Sequence, residues 1–188
     1  MSGKKRGTFF SEAIKNLNTV GTFTYSSRFL IDKTIQPIDF SKDIIIVELG
    51  AGNGCFTKTM LNKMTANSRI IAFELSSYFV DMIKAEIDDD RLLIIDDSVE
   101  LLEYFLNKEG ITEVDHVVSA LPLVVFPDEL IDGILKDCTN FIKSGGYYVQ
   151  ISYSTLKLDH LKMWFNNVKT KYTIRNGPPA FSFWCKND

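Results

Sequence analysis

The sequence predicts an α/β fold: one mostly parallel seven-stranded sheet, closed by a C-terminal antiparallel hairpin and preceded by N-terminal helices. Three observations lead there. From residue 43 onward, short β-branched runs alternate with helical patterns, as a parallel sheet with crossover helices requires. The first run passes straight into Gly50-Ala51-Gly52-Asn53-Gly54, a turn that opens a helix. The last two runs have no helix between them, only Asn176-Gly177-Pro178-Pro179, which suits a hairpin and is too short for a crossover.

Taken in order, the strands are expected at Ile44–Leu49, Arg69–Glu74, Leu92–Ile95, Val114–Ser119, Tyr147–Ser152, Tyr172–Arg175 and Phe181–Cys185. Helices are expected at Gly54–Met64, Ser77–Ile87, Ser98–Asn107, Pro127–Ile142 and Thr155–Asn166. Pro127 suits a first helical turn, and Ser144-Gly145-Gly146 reads as a stop. A further helical pattern runs from Ser27 to about Ile35 and ends before Pro37.

Phe9, Phe10, Ala13, Ile14 and Leu17 fall on one side of a helical wheel, opposite Ser11, Glu12, Lys15 and Asn16. The chain therefore divides into an N-terminal amphipathic helical segment, residues 1–42, and a ligand-binding domain, residues 43–188. At 188 residues it fits one domain of ordinary globular composition, with 45% apolar and 24% charged residues.

Charge is uneven. Residues 1–42 carry seven Lys and Arg against three Asp and Glu, whereas residues 43–188 carry fourteen against twenty-one. An acidic body argues against a broad nucleic-acid footprint, and a basic front is compatible with an anionic membrane surface. Three scattered cysteines fit neither a disulfide framework nor a metal site, and no run of about 18 apolar residues spans a membrane. The expected location is the cytoplasm, with peripheral contact at the inner face of the membrane.

The glycine loop carries the chemistry. Gly50, Ala51, Gly52 and Gly54 bring backbone and helix N-terminal amides close to a ligand, and Glu48 lies near the end of the strand before them. The spacing is Gly-x-Gly-x-Gly, whereas dinucleotide sites favour Gly-x-Gly-x-x-Gly to admit a pyrophosphate. A cofactor without phosphate, S-adenosylmethionine, suits the shorter spacing. Glu74, followed by Leu75, ends the second strand 20 residues beyond Gly54, where a carboxylate can accept from both ribose hydroxyls.

Asp97 and Ser98 end the third strand, one placed to accept from an adenine amine and the other to cap the next helix; Asp96 is the weaker candidate. Ser119-Ala120-Leu121-Pro122-Leu123 ends the fourth strand at the switch point of the sheet. Ser119 is expected to border the cofactor there, and Ala120, Leu121 and Pro122 the substrate, with Tyr153 after the fifth strand as a further substrate contact. His116 and His160 lie singly in a strand and a helix, so no metal is expected.

These pieces resemble a known family. Phe9-Phe10 through Asn18-Thr19-Val20-Gly21, Ser26-Ser27-Arg28-Phe29-Leu30, Glu48-Leu49-Gly50-Ala51-Gly52, Ser119-Ala120-Leu121-Pro122-Leu123 and Arg175-Asn176-Gly177-Pro178-Pro179-Ala180 occur in an order similar to that of class I S-adenosylmethionine-dependent methyltransferases of the PmtA type. These are bacterial enzymes that methylate the amine of phosphatidylethanolamine, or of ornithine lipids. The resemblance spans nearly the whole chain and implies a Rossmann-like fold, a lipid amine substrate, and closure of Tyr25 and Ser26 over the methionine end of the cofactor. The chain departs from the family pattern at Ala120, where a glycine is usual, and at Tyr25, where a proline is usual.

An rRNA adenine N-methyltransferase of the dimethylase kind would share the fold and the glycine loop. Aligned on Pro122, however, Ala120 and Leu123 replace the amide and the aromatic ring that would hold a flipped adenine. A protein that binds the cofactor without catalysis would carry the same loop. The N-terminal amphipathic segment suits either docking on anionic lipid or a lid over the cofactor cleft.

Overall fold

The structure, a computed structural model, describes residues 26–188. The amphipathic stretch around Phe9 to Leu17, and Tyr25, lie outside the described residues. Helix α1 (Arg28–Thr34) leads into strand β1 (Ile45–Leu49), then α2 (Cys55–Leu61), β2 (Arg69–Phe73), α3 (Ser77–Glu86) and β3 (Leu92–Ile95). A 3-10 turn at Val99–Leu101 precedes α4 (Leu102–Lys108) and β4 (Val114–Ser119). A second one, at Leu123–Val125, precedes α5 (Asp128–Phe141), β5 (Ile142–Ser152), α6 (Leu158–Trp164), β6 (Asn167–Thr173) and β7 (Ala180–Lys186).

The seven strands form one sheet in the order β3-β2-β1-β4-β5-β7-β6. The first five are parallel, and β7 enters antiparallel between β5 and β6, as the hairpin reading expects. The sheet is covered on both faces, so β1 and β2 are buried along nearly their whole length rather than at alternate residues, Glu48 included. Val47 and Leu49 join Ile71, Phe73, Leu106 and Leu135 in the core on one face. Ile46 joins Ile70, Phe56, Met60 and Ile83 on the other.

Helix α5 shows why the segments fold locally as they do. Ile131, Ile134, Leu135, Cys138 and Phe141 recur at helical spacing and are buried, while Asp128 and Glu129 occupy the first turn, where carboxylates favour the helix dipole. Helix α1 belongs to the core on the opposite face: Leu30, Ile31, Ile35 and Ile38 pack with Ile44 and Ile46. It is tied to the hairpin by Thr34, whose hydroxyl lies 2.8 Å from that of Ser182 in a buried contact.

Several boundaries differ from the sequence expectation. Strand β6 begins at Asn167 and ends at Thr173, earlier than Tyr172–Arg175, because pairing with β7 fixes it while its lysines hide the pattern of an edge strand. Pro127 caps α5 rather than entering its first turn, and Ser98 opens a 3-10 turn before α4. Helix α6 is shorter at both ends than Thr155–Asn166. Ser144-Gly145-Gly146 does not stop α5, which already ends at Phe141; it lies in a bulge of β5, where the register with β4 shifts.

The bulge requires glycine at one place. A Cβ on Gly146 would stand 2.3 Å from the Asp115 carbonyl oxygen and 2.6 Å from Ile142 Cγ2. Gly146→Ala should therefore destabilise the fold by about 1–3 kcal/mol in urea unfolding. Gly133→Ala, inside α5 with open space around the new methyl, should stabilise it by up to about 1 kcal/mol. Equal stability of the two variants would contradict the bulge geometry.

Candidate functional site

The order β3-β2-β1 followed by β4-β5 reverses between β1 and β4, and a crevice opens where neighbouring connections diverge to opposite faces. The strand ends around it are stitched together. Gly50 N–H and Ala51 N–H both donate to the Phe73 carbonyl, at 2.9 and 3.2 Å, Glu74 N–H donates to Ile95, and Ala120 N–H donates to Leu49.

Gly50, Gly52 and Gly54 all have φ in the left-handed region, at 77°, 54° and 74°, where side chains other than glycine are strained. At Gly50 a Cβ would also press on Leu121 Cδ2 at 3.2 Å, whereas over Gly52 there is open space. That space is what a ligand lying across the loop needs. Ala51 is buried beneath it.

Glu74 is held at two points. Gly52 N–H donates to its Oε2 at 2.7 Å, and Ser76 N–H to its Oε1 at 2.8 Å. Each oxygen keeps a further lone pair for a ligand hydroxyl. Burial pushes its carboxyl above the ordinary range, an effect that the two backbone donors oppose. Leu75 is half-buried beside it.

Glu48 points to the opposite side from Leu49, is 2% exposed, and accepts from the Thr57 hydroxyl at 2.6 Å. Burial, partly offset by Thr57, raises its carboxyl to about 8. Cys55, the first residue of α2, is also raised, by burial and then by Glu48, and the Ser26 backbone amide faces its thiol. Ser26 thereby stands next to the glycine loop.

Past β3, Asp97 accepts from Ser98 N–H at 2.7 Å, and Ser98, buried, accepts from Glu100 N–H at 3.3 Å and so caps the 3-10 turn. Asp96 is exposed. Past β4, Ser119 is fully buried and its hydroxyl accepts from Leu121 N–H, while Ala120 is exposed and Pro122 half-buried at the crevice. Tyr153 is 47% exposed, one residue past β5. The strand-end candidates within 26–188 thus lie at the C-terminal edge of the sheet, most of the cofactor set at the β1, β2 and β3 ends with Ser119 at the end of β4, and the substrate set past the β4 and β5 ends, while Ser26 precedes α1 beside the glycine loop.

Sequence reasoning missed Gln150. It is 1% exposed beside Ser119 in the sheet, donates to the Leu121 carbonyl at 2.9 Å, and accepts from Tyr148 O–H at 2.7 Å. This satisfied buried network fixes the loop after β4 from behind. A glutamine within the apolar run Tyr147-Tyr148-Val149-Gln150-Ile151 is the signal that could have found it. His116 accepts from Tyr147 N–H, and burial lowers it to about 4, so it stays neutral. His160 pairs with Asp132 at 2.9 Å. Among the described residues, no three metal-ligating side chains converge.

No protein-family profile matches the chain. Over 180 residues, 95% of this chain and 94% of the other, it is 26% identical to an ornithine lipid N-methyltransferase of Singulisphaera acidiphila. Ribosomal RNA small subunit methyltransferases A of Mycoplasma mycoides and H of Flavobacterium johnsoniae are 29% and 26% identical, over 51% and 53% of this chain and 35% and 32% of their own. A precorrin-6y C5,15-methyltransferase of Geobacter metallireducens superposes with a TM-score of 0.70 at 12% identity, covering 89% of this chain and 93% of its own. An S-adenosylmethionine-dependent O-methyltransferase of Thermotoga maritima does so with a TM-score of 0.64 at 14% identity, covering 94% and 71%. The chain has the Rossmann-like fold of class I methyltransferases, with its characteristic C-terminal hairpin.

The buried Glu48 carboxyl has a measurable consequence. The folded protein keeps a proton that the unfolded chain releases above its ordinary 4.5, so the contribution of Glu48 to stability is full below about pH 4.5 and falls as pH rises toward about 8. The slope is at most about 1.4 kcal/mol per pH unit. Glu48→Gln removes it, and urea unfolding of the ligand-free variant should gain on the wild type steadily between about pH 5 and pH 8. Parallel curves would contradict the burial.

Proposed function

We propose that the protein is an S-adenosylmethionine-dependent N-methyltransferase that transfers methyl groups to the amine of a membrane phospholipid or aminolipid. The observation that carries the cofactor half is Glu74, pinned by two backbone amides beside the open face of Gly52. The donor set fits a nucleoside that has no phosphate. Glu74 accepts from the ribose hydroxyls, Asp97 and Ser98 meet the adenine, and Gly50, Gly52 and Gly54 let the backbone approach. Glu48 and Ser26 receive the cationic amino acid end, to which the family resemblance also assigns Tyr25. When bound, the cofactor supplies a methyl carbon on a sulfonium, ready for in-line displacement.

The chain's own task is then to bring in a neutral amine and hold it in line. Ala120 and Ser119 present carbonyls to the amine N–H groups, on a loop that Gln150 holds by the Leu121 carbonyl. Leu121 and Pro122 form apolar walls, and Tyr153 lies across the mouth. Apolar surroundings disfavour the ammonium, so the amine sheds its proton to solvent as it enters. Each product remains an amine until it is quaternary, so one, two or three methyls can be added.

The lipid half is supported by likeness over the whole chain to an ornithine lipid N-methyltransferase, against likeness over about half of it to the ribosomal RNA enzymes. The absence of an amide and an aromatic ring around Pro122 supports the same choice. The division into an N-terminal segment, 1–42, and a cofactor domain, 43–188, belongs to this proposal. So does a cytoplasmic enzyme whose basic front meets anionic lipid at the membrane. Among the described residues, no helix is long and apolar enough to cross a membrane.

Incubation with a labelled methyl donor and a total lipid extract should label amine lipids and leave ribosomal RNA nearly unlabelled. Label in RNA with none in lipid would reverse the assignment. Calorimetry of Glu74→Ala should show cofactor affinity reduced by about tenfold or more, since hydrogen bonds to charged groups contribute roughly 1.5–3 kcal/mol each. Unchanged affinity would remove the ribose role.

A further inference from the structure

Exposed apolar side chains crowd one half of the sheet edge on which the site opens. Val124 and Val125 follow β4, Leu156 follows β5, Ile174 follows β6, and Phe29 lies in the first turn of α1; they are 41, 46, 81, 71 and 48% exposed. Strands β5 and β6 are both antiparallel to β7, so their C-terminal ends lie together on the edge where β4 also ends. Phe29 is held to that edge because Ser27 N–H donates to Asn176 Oδ1 at 2.8 Å and Ser27 O–H to the Arg175 carbonyl at 2.7 Å. From β4 to β6 this rim spans three strand spacings, about 14 Å.

Charge divides along the same line. The rim beyond β2 and β3 carries Glu74, Asp96 and Asp97, with Tyr78 among them. The apolar half carries Arg28, whose side chain is 90% exposed with its Nε 3.7 Å from an Asp32 oxygen, and Arg175, whose guanidinium lies 3.8 Å over the Phe29 ring. Asp128, the acid at the start of α5, is met by Lys157 at 2.6 Å.

We infer that the rim formed by Phe29, Val124, Val125, Leu156 and Ile174, with Arg28 and Arg175, is a membrane-contact surface that seats the domain on a bilayer carrying anionic lipid, an assignment that rests on the lipid-amine reading above. Single exposed apolar residues are ordinary on a protein surface, but a set contributed by four separate segments to one rim marks an interaction site. A bilayer fits its chemistry. Apolar tips enter the acyl boundary while guanidiniums pair with phosphates, to which their planar fork is matched. The acidic half is repelled by the same anionic surface, so the domain tilts with β6 toward the lipid and β3 away from it. The substrate mouth after β4 then faces the headgroups, and a lipid amine reaches it while its chains stay in the membrane.

Sedimentation of the full chain with vesicles of phosphatidylcholine and phosphatidylglycerol tests this directly. The wild type should pellet, less so as salt rises. Leu156→Glu/Ile174→Glu should lower the bound fraction about tenfold with thermal unfolding and cofactor affinity unchanged, since neither side chain is part of the core. Arg175→Gln should flatten the salt dependence. A wild type that stays in solution, or a double variant that pellets like it, overturns the assignment. Concentration-dependent self-association that the same double substitution abolishes would overturn it in favour of a second copy as occupant. Labelling of the lipid amine dispersed in detergent micelles separates the two readings. If the wild type labels it there, the enzymatic reading stands whatever the vesicles show; if it does not, that reading fails by itself.

Discussion

The site depends on one carboxylate held by two backbone amides. Glu74 reaches from the end of β2 to Gly52 in the loop after β1 and to Ser76 at the start of α3. Because its donors belong to separate connections, the shape of the glycine loop and the entry of α3 are set together. The loop alone could take other conformations, since three of its residues are glycine. Burial opposes the charge that makes the clasp strong, and the amides compensate for the lost water. The hydrogen-bond acceptor is therefore already oriented before any ligand arrives.

Around that clasp the two faces of the sheet contribute differently. Toward α2, Glu48 and Thr57 form a buried polar pair that answers to charge. On the far side of the crevice, Tyr148, Gln150 and Ser119 form a neutral network that answers to shape. A neutral scaffold there suits the proposed amine site, because a fixed carboxylate would favour the ammonium form. The acidic groups lie on the side where the proposal puts the cationic cofactor.

Most of this was legible because it is local. The strands Leu92–Ile95 and Val114–Ser119 come out at the residues their β-branched runs mark, and the glycine turn is specified by its own residues. Ser98 as a cap and the hairpin after β5 follow from short-range chemistry as well. What the sequence hid is what partners decide across distance. Lys169 and Lys171 disguise β6, whose place is set by pairing with β7. Ser144 to Gly146 look like a helix stop until the Asp115 carbonyl is seen against Gly146. Gln150 has no motif, and its role exists only because the Leu121 carbonyl folds over it. The apolar rim is likewise assembled from residues as far apart as Phe29 and Ile174, so no window of sequence displays it.

The insertion of β7 between β5 and β6 has a consequence for how the molecule is made. Strand β6 is synthesised before β7, yet it meets the sheet only through β7. Until the later strand arrives, β5 offers an open sheet edge, β6 has no ladder to join, and the Ser27–Asn176 tie that fixes the front of α1 has no partner in place. Non-local pairings of this kind form late and slowly. On a ribosome, the Rossmann-like half that carries the glycine loop and Glu74 would emerge and fold first, and the half that carries the apolar rim would be assembled last. The nascent chain would thus hold the glycine loop and Glu74 in a sheet whose β5 edge stays open until the hairpin closes it, a state in which an unpaired strand edge invites mispairing.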